Sequence, residues 1–366
     1  MKIGIITMHK PISYGSALQA YALQETLEYL GCEAEIIDYQ YPNKVHHHSK
    51  NRFLDLLAIV RSFVFNALYG FSNIKKQKRF EQFWKNHFKL SRHYPTKESI
   101  ISNPPQYDIY CTGSDQVWNP NFTKSDTTFL LSFVDNNKRK ISYSSSFAIK
   151  ELPSDFVDIY QKYLSMYTQL SVRETSGIDI IKGLLNRDAI CVCDPTILVS
   201  KDRWLELSYK SRINIRKPYI LVFMLGYSFN PYPEVNSIIE QIQEIIGCNI
   251  ICLDGDKYDI FKLHTKVVKS AGPEEFLSLV RNATYVITSS FHGVVFSTIF
   301  EKAFTAIINE DGLDSRIPDF LNKIGLYNNA VDYRSKCVKL SAPCKSDVLY
   351  DLKEYSIEYL LNSIKE

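Results

Sequence analysis

The sequence lacks a marked excess of charge of either sign. It carries 43 Lys and Arg residues against 40 Asp and Glu residues, which gives a formal net charge of +3 at pH 7. A nucleic-acid-binding domain usually presents a concentrated positive field, which this balance does not supply. We therefore expect no nucleic acid among the partners of this protein.

The eight cysteines lack the spacing of a zinc site. They are Cys32, Cys111, Cys191, Cys193, Cys248, Cys252, Cys337 and Cys344. Most lie in or beside apolar runs that predict strands, and no pair has knuckle spacing. An acidic cluster is also absent, and the histidine run at 46–48 lies in a polar loop, where we expect it to be solvated. The sequence thus predicts free buried thiols in a reducing compartment, no metal ion and no resident cofactor.

No uninterrupted apolar run has the length of a transmembrane helix. The most apolar stretch, residues 53–71, is broken by Asp55, Arg61 and Asn66, which makes it a poor membrane span. No leader precedes the first predicted strand, so we expect a cytoplasmic protein.

The same stretch and its flanks are rich in basic residues, namely Arg52, Arg61, Lys75, Lys76, Lys78 and Arg79. A basic, aromatic-rich amphipathic segment is typical of a helix that lies in a membrane interface. Two helices packed on the domain with a solvated basic face would give the same pattern, and the sequence leaves both interpretations open. The membrane-interface interpretation predicts a peripheral contact with the inner face of the plasma membrane.

Internal repeats and low-complexity tracts are absent as well, so the chain is not a repeat array. Its 366 residues, 45% of them hydrophobic, are enough for two domain cores. Apolar runs that alternate with helical patterns predict strands at residues 3–7, 34–38, 107–112, 140–147, 170–173, 189–193, 219–224, 249–253, 267–269, 285–288 and 303–308. This alternation predicts an α/β fold with two Rossmann-like domains that face a cleft. We place the domains at residues 1–200 and 201–345, with a basic amphipathic insertion near 51–90, and predict a final helix within 346–366 that packs back on the first domain.

The most informative segment is residues 285–297, where an apolar strand leads through Ser289, Ser290 and Phe291 to His292 and Gly293. A parallel sheet presents ligands at such a strand-to-helix turn. The helix start offers unpaired backbone N–H groups to an anion, and a histidine there exchanges protons near neutral pH. The segment predicts an anion site with its own acid or base, although a core or capping histidine beside a packing glycine would look the same in isolation.

Polar residues follow several other predicted strands. Residues 113–120 contain Asp115, Gln116 and Trp118 after one strand, Arg173 ends another, and Asp194 follows a third. Because parallel strands end at one edge of a sheet, these side chains are expected to meet in the cleft. Each also has a structural interpretation, such as a salt bridge for Arg173 or a cap for Asp194.

Five sequence blocks, in order, resemble the polysaccharide pyruvyl transferase family: YGSALQAYAL (14–23), GSDQVWNP (113–120), SVRE (171–174), DPT (194–196) and SSFHG (289–293). The resemblance covers nearly the whole chain. It implies an architecture similar to two-domain GT-B glycosyltransferases. It also implies transfer of pyruvate from phosphoenolpyruvate to a sugar, usually as a cyclic ketal, with release of phosphate.

One position departs from the family pattern. Many members carry an arginine two residues before the histidine, where this chain has Ser290. An arginine can clamp a phosphate or carboxylate with two hydrogen bonds, whereas a serine donates only one. Arg316, which follows the strand at 303–308, is our candidate for the missing positive charge.

The resemblance and the residues together assign candidate roles. We predict His292 and Asp115 as the catalytic residues. The predicted donor-binding residues are Arg173, Ser289, Ser290, Gly293 and Arg316. The predicted acceptor-binding residues are Tyr14, Gly15, Ser16, Gln116, Trp118 and Asn119. Trp118 has core packing as an equal alternative, Asn119 a turn, and Ser16 or its neighbour Ser13 a helix cap.

By resemblance, the acceptor is a lipid-linked repeat unit of a capsular polysaccharide or exopolysaccharide, with galactose modified as a 4,6-ketal. The N-terminal domain is then the acceptor or membrane side, and the C-terminal domain the donor side. One alternative is a nucleotide-sugar-dependent GT-B glycosyltransferase that uses Glu301 to hold a ribose. Others are a non-catalytic carbohydrate-binding protein and pyruvyl or acyl transfer to a different acceptor.

Overall fold

A computed structural model describes residues 1–41, 71–124, 126–226, 228–254, 265–312 and 314–365. The histidine run at 46–48 and the apolar stretch at 53–70 lie outside these ranges. In the part of the chain that is described, no helix is both long and apolar enough to span a membrane.

A parallel sheet forms the centre of the N-terminal domain. Its strands are β1 (Lys2–Ile6), β2 (Glu33–Ile36), β3 (Ile109–Thr112), β4 (Arg139–Ser142), β5 (Ser171–Val172) and β6 (Ile190–Cys191). The order is β2-β1-β3-β4, and single bridges from the β4 side to β5 extend it towards the β5-β6 pair. The chain therefore reverses its direction of winding between β1 and β3.

Among the described residues, eight helices surround this sheet: α1 (Tyr14–Tyr29), α2 (Ser72–His87), α3 (Lys97–Ser102), α4 (Pro120–Thr123), α5 (Ser154–Leu164), α6 (Thr175–Leu185), α7 (Pro195–Leu198) and α8 (Lys201–Tyr209). A short 3-10 turn spans Thr127–Leu130. In α1, the Ser13 side chain caps the first turn by accepting from the Ser16 backbone N–H. Nearly every residue of α1 is buried, because this helix packs between the first sheet and the second domain.

A second parallel sheet forms the C-terminal domain, with strands β7 (Tyr219–Phe223), β8 (Asn249–Leu253), β9 (Thr265–Val268), β10 (Tyr285–Thr288), β11 (Ala303–Ile308) and β12 (Ala330–Asp332). The order is β12-β11-β10-β7-β8-β9. The winding reverses between β7 and β10, and the apolar runs of both strands are fully buried.

The described part of the C-terminal domain contains the helices α9 (Val235–Ile246), α10 (Pro273–Asn282), α11 (Phe291–Ile299) and α12 (Arg316–Lys323), and α13 (Tyr350–Lys365) follows them. Two further 3-10 turns cover Tyr327–Asn329 and Ser346–Leu349. Helix α10 begins at Pro273, where Glu275 accepts a hydrogen bond from the Gly272 N–H, so the start of the helix is capped by its own third residue.

Helix α13 leaves the C-terminal domain and packs on the N-terminal one. Tyr359 donates a hydrogen bond to the Ser142 carbonyl oxygen over 3.0 Å, and Ser356 Oγ accepts from the Cys193 N–H over 2.9 Å. The helix begins at Tyr350 because Ser346–Leu349 forms a 3-10 turn instead of the predicted first helical turn.

The predicted fold class is confirmed: both sheets are parallel, and two Rossmann-like domains face each other. Strands predicted at 249–253, 285–288 and 303–308 have those bounds in the structure. Strands predicted at 170–173 and 189–193 shrink to two residues each, and β12 has no counterpart in the prediction. The winding reversals of the two sheets set the position of the cleft, since ligands of open α/β sheets bind at such points.

Candidate functional site

A cavity of about 500 Å³ lies between the two domains. The loop after β1, the start of α1 and the segment after β3 form one wall. The end of β7 and the starts of α11 and α12 form the other. A cavity of this size lies within the range of small-molecule sites, and it occupies the winding reversals of both sheets.

His292 lies where the starts of α1 and α11 meet. Ser290 caps α11 by accepting from the Gly293 N–H over 3.2 Å, which places His292 in the first turn. The ring packs on the backbone of Gly15, because a Cβ atom built on Gly15 would come within 2.1 Å of His292 Nδ1. The histidine is nearly buried but lines the cavity. The structure thus brings a predicted acceptor residue and the predicted catalytic histidine into direct contact.

A buried carboxylate holds the other side of the imidazole. Asp194 Oδ2 lies 3.4 Å from His292 Nε2 and 3.2 Å from Arg173 Nη2. Its Oδ1 accepts from the Thr196 backbone N–H and hydroxyl. Burial by itself would raise the pKa of Asp194, but the charges of Arg173 and His292 outweigh it and hold that pKa below its usual range. Asp194 therefore orients two of the predicted site residues as an ionised group.

Arg173 is buried with unused hydrogen-bonding capacity. Its Nη2 donates to Ser114 Oγ over 2.5 Å, and its guanidinium lies 5.1 Å from the centre of the Phe291 ring. Among the described residues, Nε and Nη1 have no hydrogen-bond partner. The hydroxyls of Ser144 and Ser146, in the serine run after β4, are also buried and have no such partner there. Unsatisfied buried donors are costly, so a group of them is typical of a site that receives a polar ligand.

Arg316 brings a second guanidinium to the cavity from the C-terminal domain. Asp314 fixes it with two hydrogen bonds, from Nε over 2.8 Å and from Nη2 over 2.5 Å. Burial would raise the pKa of Asp314, but Arg316 lowers it below its ordinary value. With its oxygen turned towards Arg316, the Gln116 amide accepts from Nη1 and Nη2 over 3.1 and 3.2 Å. Arg316 thus lines the same cavity as Ser290, which replaces the arginine expected at that position.

Asp115 faces the cavity from the N-terminal domain in an unusual backbone conformation, with a φ of 78°. Its Oδ2 accepts from Ser16 Oγ over 2.6 Å, and its Oδ1 accepts from the Gln116 N–H over 2.8 Å. A positive φ at a non-glycine residue is uncommon and concentrates at functional sites. The arrangement fixes a carboxylate on the wall opposite α11.

Three of the predicted ligand-binding residues do not line the cavity and make structural contacts. Trp118 is fully buried, and its indole donates to the Phe129 carbonyl oxygen, so the prediction that it offers a face to a sugar is wrong. Asn119 caps α4 by accepting from the Asn121 N–H. Ser289 hydrogen-bonds the Leu225 backbone.

Two further predicted residues have mixed roles. Gly293 allows α11 to approach β10, since a Cβ there would lie 2.5 Å from Thr288 Oγ1, and it does not line the cavity. Tyr14 lines the cavity, but its ring stacks on Phe276 at 4.9 Å, and burial raises the pKa of its hydroxyl.

Several cavity residues were not predicted from the sequence, among them Ile12, Tyr41 and Phe122. They lie in loops or in the single turn of α4, where no periodic pattern marks them. Glu301, the predicted ribose contact of the alternative function, lies beyond the C-terminal end of α11. It pairs there with Lys201 over 2.8 Å and does not line the cavity.

The described part of the basic segment is α2, and two of its cations bind the other domain. Lys76 pairs with Asp254 over 2.6 Å, and Arg79 donates to the Ser270 carbonyl oxygen and pairs with Glu275. For these two cations, packing on the protein is the interpretation that the structure supports. Arg52 and Arg61 lie outside the described residues.

Comparisons with known proteins support the two-domain fold. The chain is similar to a UDP-GlcNAc 2-epimerase from Methanocaldococcus jannaschii, with 13% identity and a TM-score of 0.53 over 99% of this chain and 93% of that one. It is also similar to a UDP-GlcNAc 2-epimerase from Neisseria meningitidis bound to UDP-GlcNAc, with 9% identity and a TM-score of 0.54 over 99% and 100%. These likenesses show a GT-B-like fold and no more. No curated protein matches the sequence. Residues 14–311 match the family of polysaccharide pyruvyl transferases.

Proposed function

The chain belongs to the polysaccharide pyruvyl transferase family, and from that premise we propose that it transfers pyruvate from phosphoenolpyruvate to a sugar and releases phosphate. One observation carries the proposal. His292 and Arg316, both of the second domain, line one cavity. Arg173 of the first domain lies directly behind His292, and both side chains pair with the carboxylate of Asp194.

Phosphoenolpyruvate carries a phosphate and a carboxylate, so its site needs two cationic groups. We assign one to Arg173, which is buried behind His292 and does not itself line the cavity; its Nε and Nη1 have no hydrogen-bond partner among the described residues. Arg316 supplies the second and makes up for the serine at position 290. Charge-assisted hydrogen bonds from a planar guanidinium suit both anions.

In the proposed reaction, His292 protonates the methylene carbon of the donor. Asp194 stabilises positive charge at Nε2, and we assign the proton transfer to Nδ1, on the side of Gly15. The central carbon becomes cationic, and a sugar hydroxyl attacks it while Asp115 accepts the hydroxyl proton. The bond from that carbon to the phosphate oxygen then breaks. A second hydroxyl of the same sugar closes the ketal, and its proton leaves with phosphate. General acid catalysis of this kind contributes roughly a hundred- to ten-thousand-fold in rate.

The acceptor is proposed from the family resemblance to be a lipid-linked oligosaccharide with a galactose residue. Asp115, Gln116 and Ser16 offer hydrogen bonds to its hydroxyls from the N-terminal wall. A peripheral contact with an anionic membrane would place such an acceptor at the cavity. Lys75, Lys78 and Lys85 of α2 are exposed and are the described residues proposed for it.

The membrane contact is tested by binding of the full chain to vesicles with and without anionic lipid. Replacing Lys75, Lys78 and Lys85 together by Ala should weaken binding to the anionic vesicles only. An intact protein that ignores anionic vesicles would remove the membrane from the proposal and leave the transfer reaction untouched.

The reaction is tested by phosphate release from phosphoenolpyruvate with and without lipid-linked galactosyl acceptors. We expect acceptor-dependent phosphate and a matching pyruvate mass on the sugar, both lost in His292→Ala and kept in His93→Ala. His93 is a half-exposed histidine outside the cavity. Equal turnover in His292→Ala would remove the histidine from the chemistry. Absence of release with every acceptor, together with inhibitory binding of nucleoside diphosphates, would favour the glycosyltransferase alternative.

A further inference from the structure

Two large apolar side chains at the mouth of the cavity keep much of their surface in solvent. Ile12, in the loop after β1, is 44% exposed, and Phe122, in α4, is 42% exposed. Both line the cavity, together with Tyr41. Exposed apolar surface beside a cavity is typical of a surface that a ligand covers. We call Ile12, Tyr41 and Phe122 the cavity rim.

The segment that carries Phe122 is fixed from several directions. Trp118 anchors it in the core, and Asn119 caps α4. Tyr41 donates a hydrogen bond to the Phe122 carbonyl oxygen, and the Tyr41 ring meets the Phe129 ring edge-on at 5.1 Å. A side chain on so well held a backbone is pre-organised for binding, which reduces the entropy lost when a ligand docks.

The cavity has more room than the reacting groups need. Asp115, His292 and Arg316 belong to its polar part. The cavity volume of about 500 Å³ lies in the range that holds a drug-sized molecule, and a three-carbon acid with one phosphate fills only part of it. The cavity rim adjoins this polar part. In an extended acceptor, the unit next to the reacting sugar therefore contacts the rim.

We propose that the cavity rim is a subsite for a second pyranose ring of the acceptor, the one attached to the sugar that reacts. This inference rests on the proposed function. A pyranose has an apolar C–H face that packs on an aromatic ring, while its hydroxyls reach polar groups at the edge. The rim matches this chemistry, since Phe122 and Ile12 are apolar while Ser13 and Gln116 line the same cavity. Two exposed side chains offer too little area to hold a long lipid chain.

The test compares two water-soluble acceptors, methyl β-galactoside and the methyl β-glycoside of a galactose-containing disaccharide, so that no lipid takes part. We expect Phe122→Ala to raise KM for the disaccharide about tenfold, equivalent to about 1.4 kcal/mol. Its KM for the monosaccharide and for phosphoenolpyruvate should stay near wild type. Phe122→Tyr keeps the ring and should resemble wild type, and Ile12→Ala should give a smaller effect in the same direction. Tyr29→Ala is the control, since Tyr29 is 87% exposed at the opposite end of α1.

An unchanged disaccharide KM in Phe122→Ala would overturn the subsite. So would an effect that appears only with a lipid-linked acceptor, because that would assign the rim to the lipid. Saturation-transfer NMR of the disaccharide with the full chain separates this inference from the reaction itself. Sugar binding that is lost in Phe122→Ala supports the subsite even if phosphoenolpyruvate is not turned over. Absence of sugar binding in the wild type overturns it even if phosphate is released.

Discussion

At the scale of single residues, Gly15 is required because the His292 ring occupies the place of its side chain. A Cβ there would lie 2.1 Å from Nδ1, which is far inside van der Waals contact. Gly15→Ala should therefore displace the ring and lower kcat about a hundredfold or more, since a shift of about 1 Å can cost that much. The thermal midpoint should change much less than the activity. Steady-state kinetics and a melting curve check both.

Gly183→Ala is the matched control for that change. Gly183 lies inside α6, and a Cβ built on it meets no atom within 4 Å. Alanine favours a helix over glycine by about 1 kcal/mol, so this variant should be active and equally or more stable. Wild-type activity in Gly15→Ala would show that the ring position does not matter.

Asp194 links the site to the pH dependence of stability. Burial opposes its charge, but Arg173 and His292 lower its pKa below the unfolded value. A carboxylate with a lowered folded pKa stabilises the protein above its unfolded pKa, and this contribution is lost as the pH falls below about 4. Asp194→Asn should lower the free energy of unfolding at pH 7 by about 3–5 kcal/mol, because it leaves Arg173 buried without its charge partner.

The measurement is urea unfolding of both proteins between pH 3 and pH 7. The difference between wild type and Asp194→Asn should shrink towards acid pH, whereas Asp188→Asn, at an exposed position, should follow the wild type. A difference that stays constant over the whole range would contradict the assignment of charge to Asp194.

At the scale of elements, the first turn of α6 is capped from the other domain. Asp319 of α12 accepts from the Thr175 N–H over 2.9 Å and from the Thr175 hydroxyl over 2.8 Å. Helix α6 follows Arg173, and α12 begins with Arg316. The hydrogen bonds between Thr175 and Asp319 therefore hold the two guanidinium groups at a fixed distance from each other. Asp319→Ala should lower the free energy of unfolding by about 1 kcal/mol. It should also raise KM for phosphoenolpyruvate more than it changes kcat.

Asn322→Ala is the matched control, because Asn322 is exposed on the same helix. It should leave stability and KM unchanged. If Asp319→Ala affected stability but left KM at the wild-type value, the cap would be structural without any influence on the donor site.

Elements with a strong local signal were predictable from the sequence. β8, β10 and β11 are apolar runs bounded by polar residues, and their predicted bounds are correct. β5 and β6 shrink to two residues because only those residues pair in register. β12 is a half-buried edge strand without an apolar run, so no periodicity marked it. Short edge elements depend on tertiary pairing, which a local pattern does not contain.

At the scale of the whole molecule, the sequence predicted which residues lie at strand ends. It did not predict which residues of the two domains face each other across the cleft. The positions of His292 and Arg173 next to strand ends were predictable, because both follow short apolar runs in the sequence. The contact of Gly15 with His292 and the rim residue Phe122 were not, since both depend on how two domains face each other. Trp118 was misassigned because a large aromatic side chain serves a core and a binding site equally well, and only its burial distinguishes them.

Because the cavity lies between the two domains, we expect donor binding to stabilise both domains together against unfolding. A ligand that binds only the folded state at a hundred times its Kd adds about 2.7 kcal/mol to the free energy of unfolding. Phosphoenolpyruvate should therefore raise the thermal midpoint of the wild type. Arg173→Ala and Arg316→Ala should each reduce that shift, although the two arginines belong to different domains. Arg216→Ala, at an exposed position outside the cavity, should keep it. A shift abolished by only one of the two site variants would place the donor on one domain, and the proposed two-domain anion site would then be wrong.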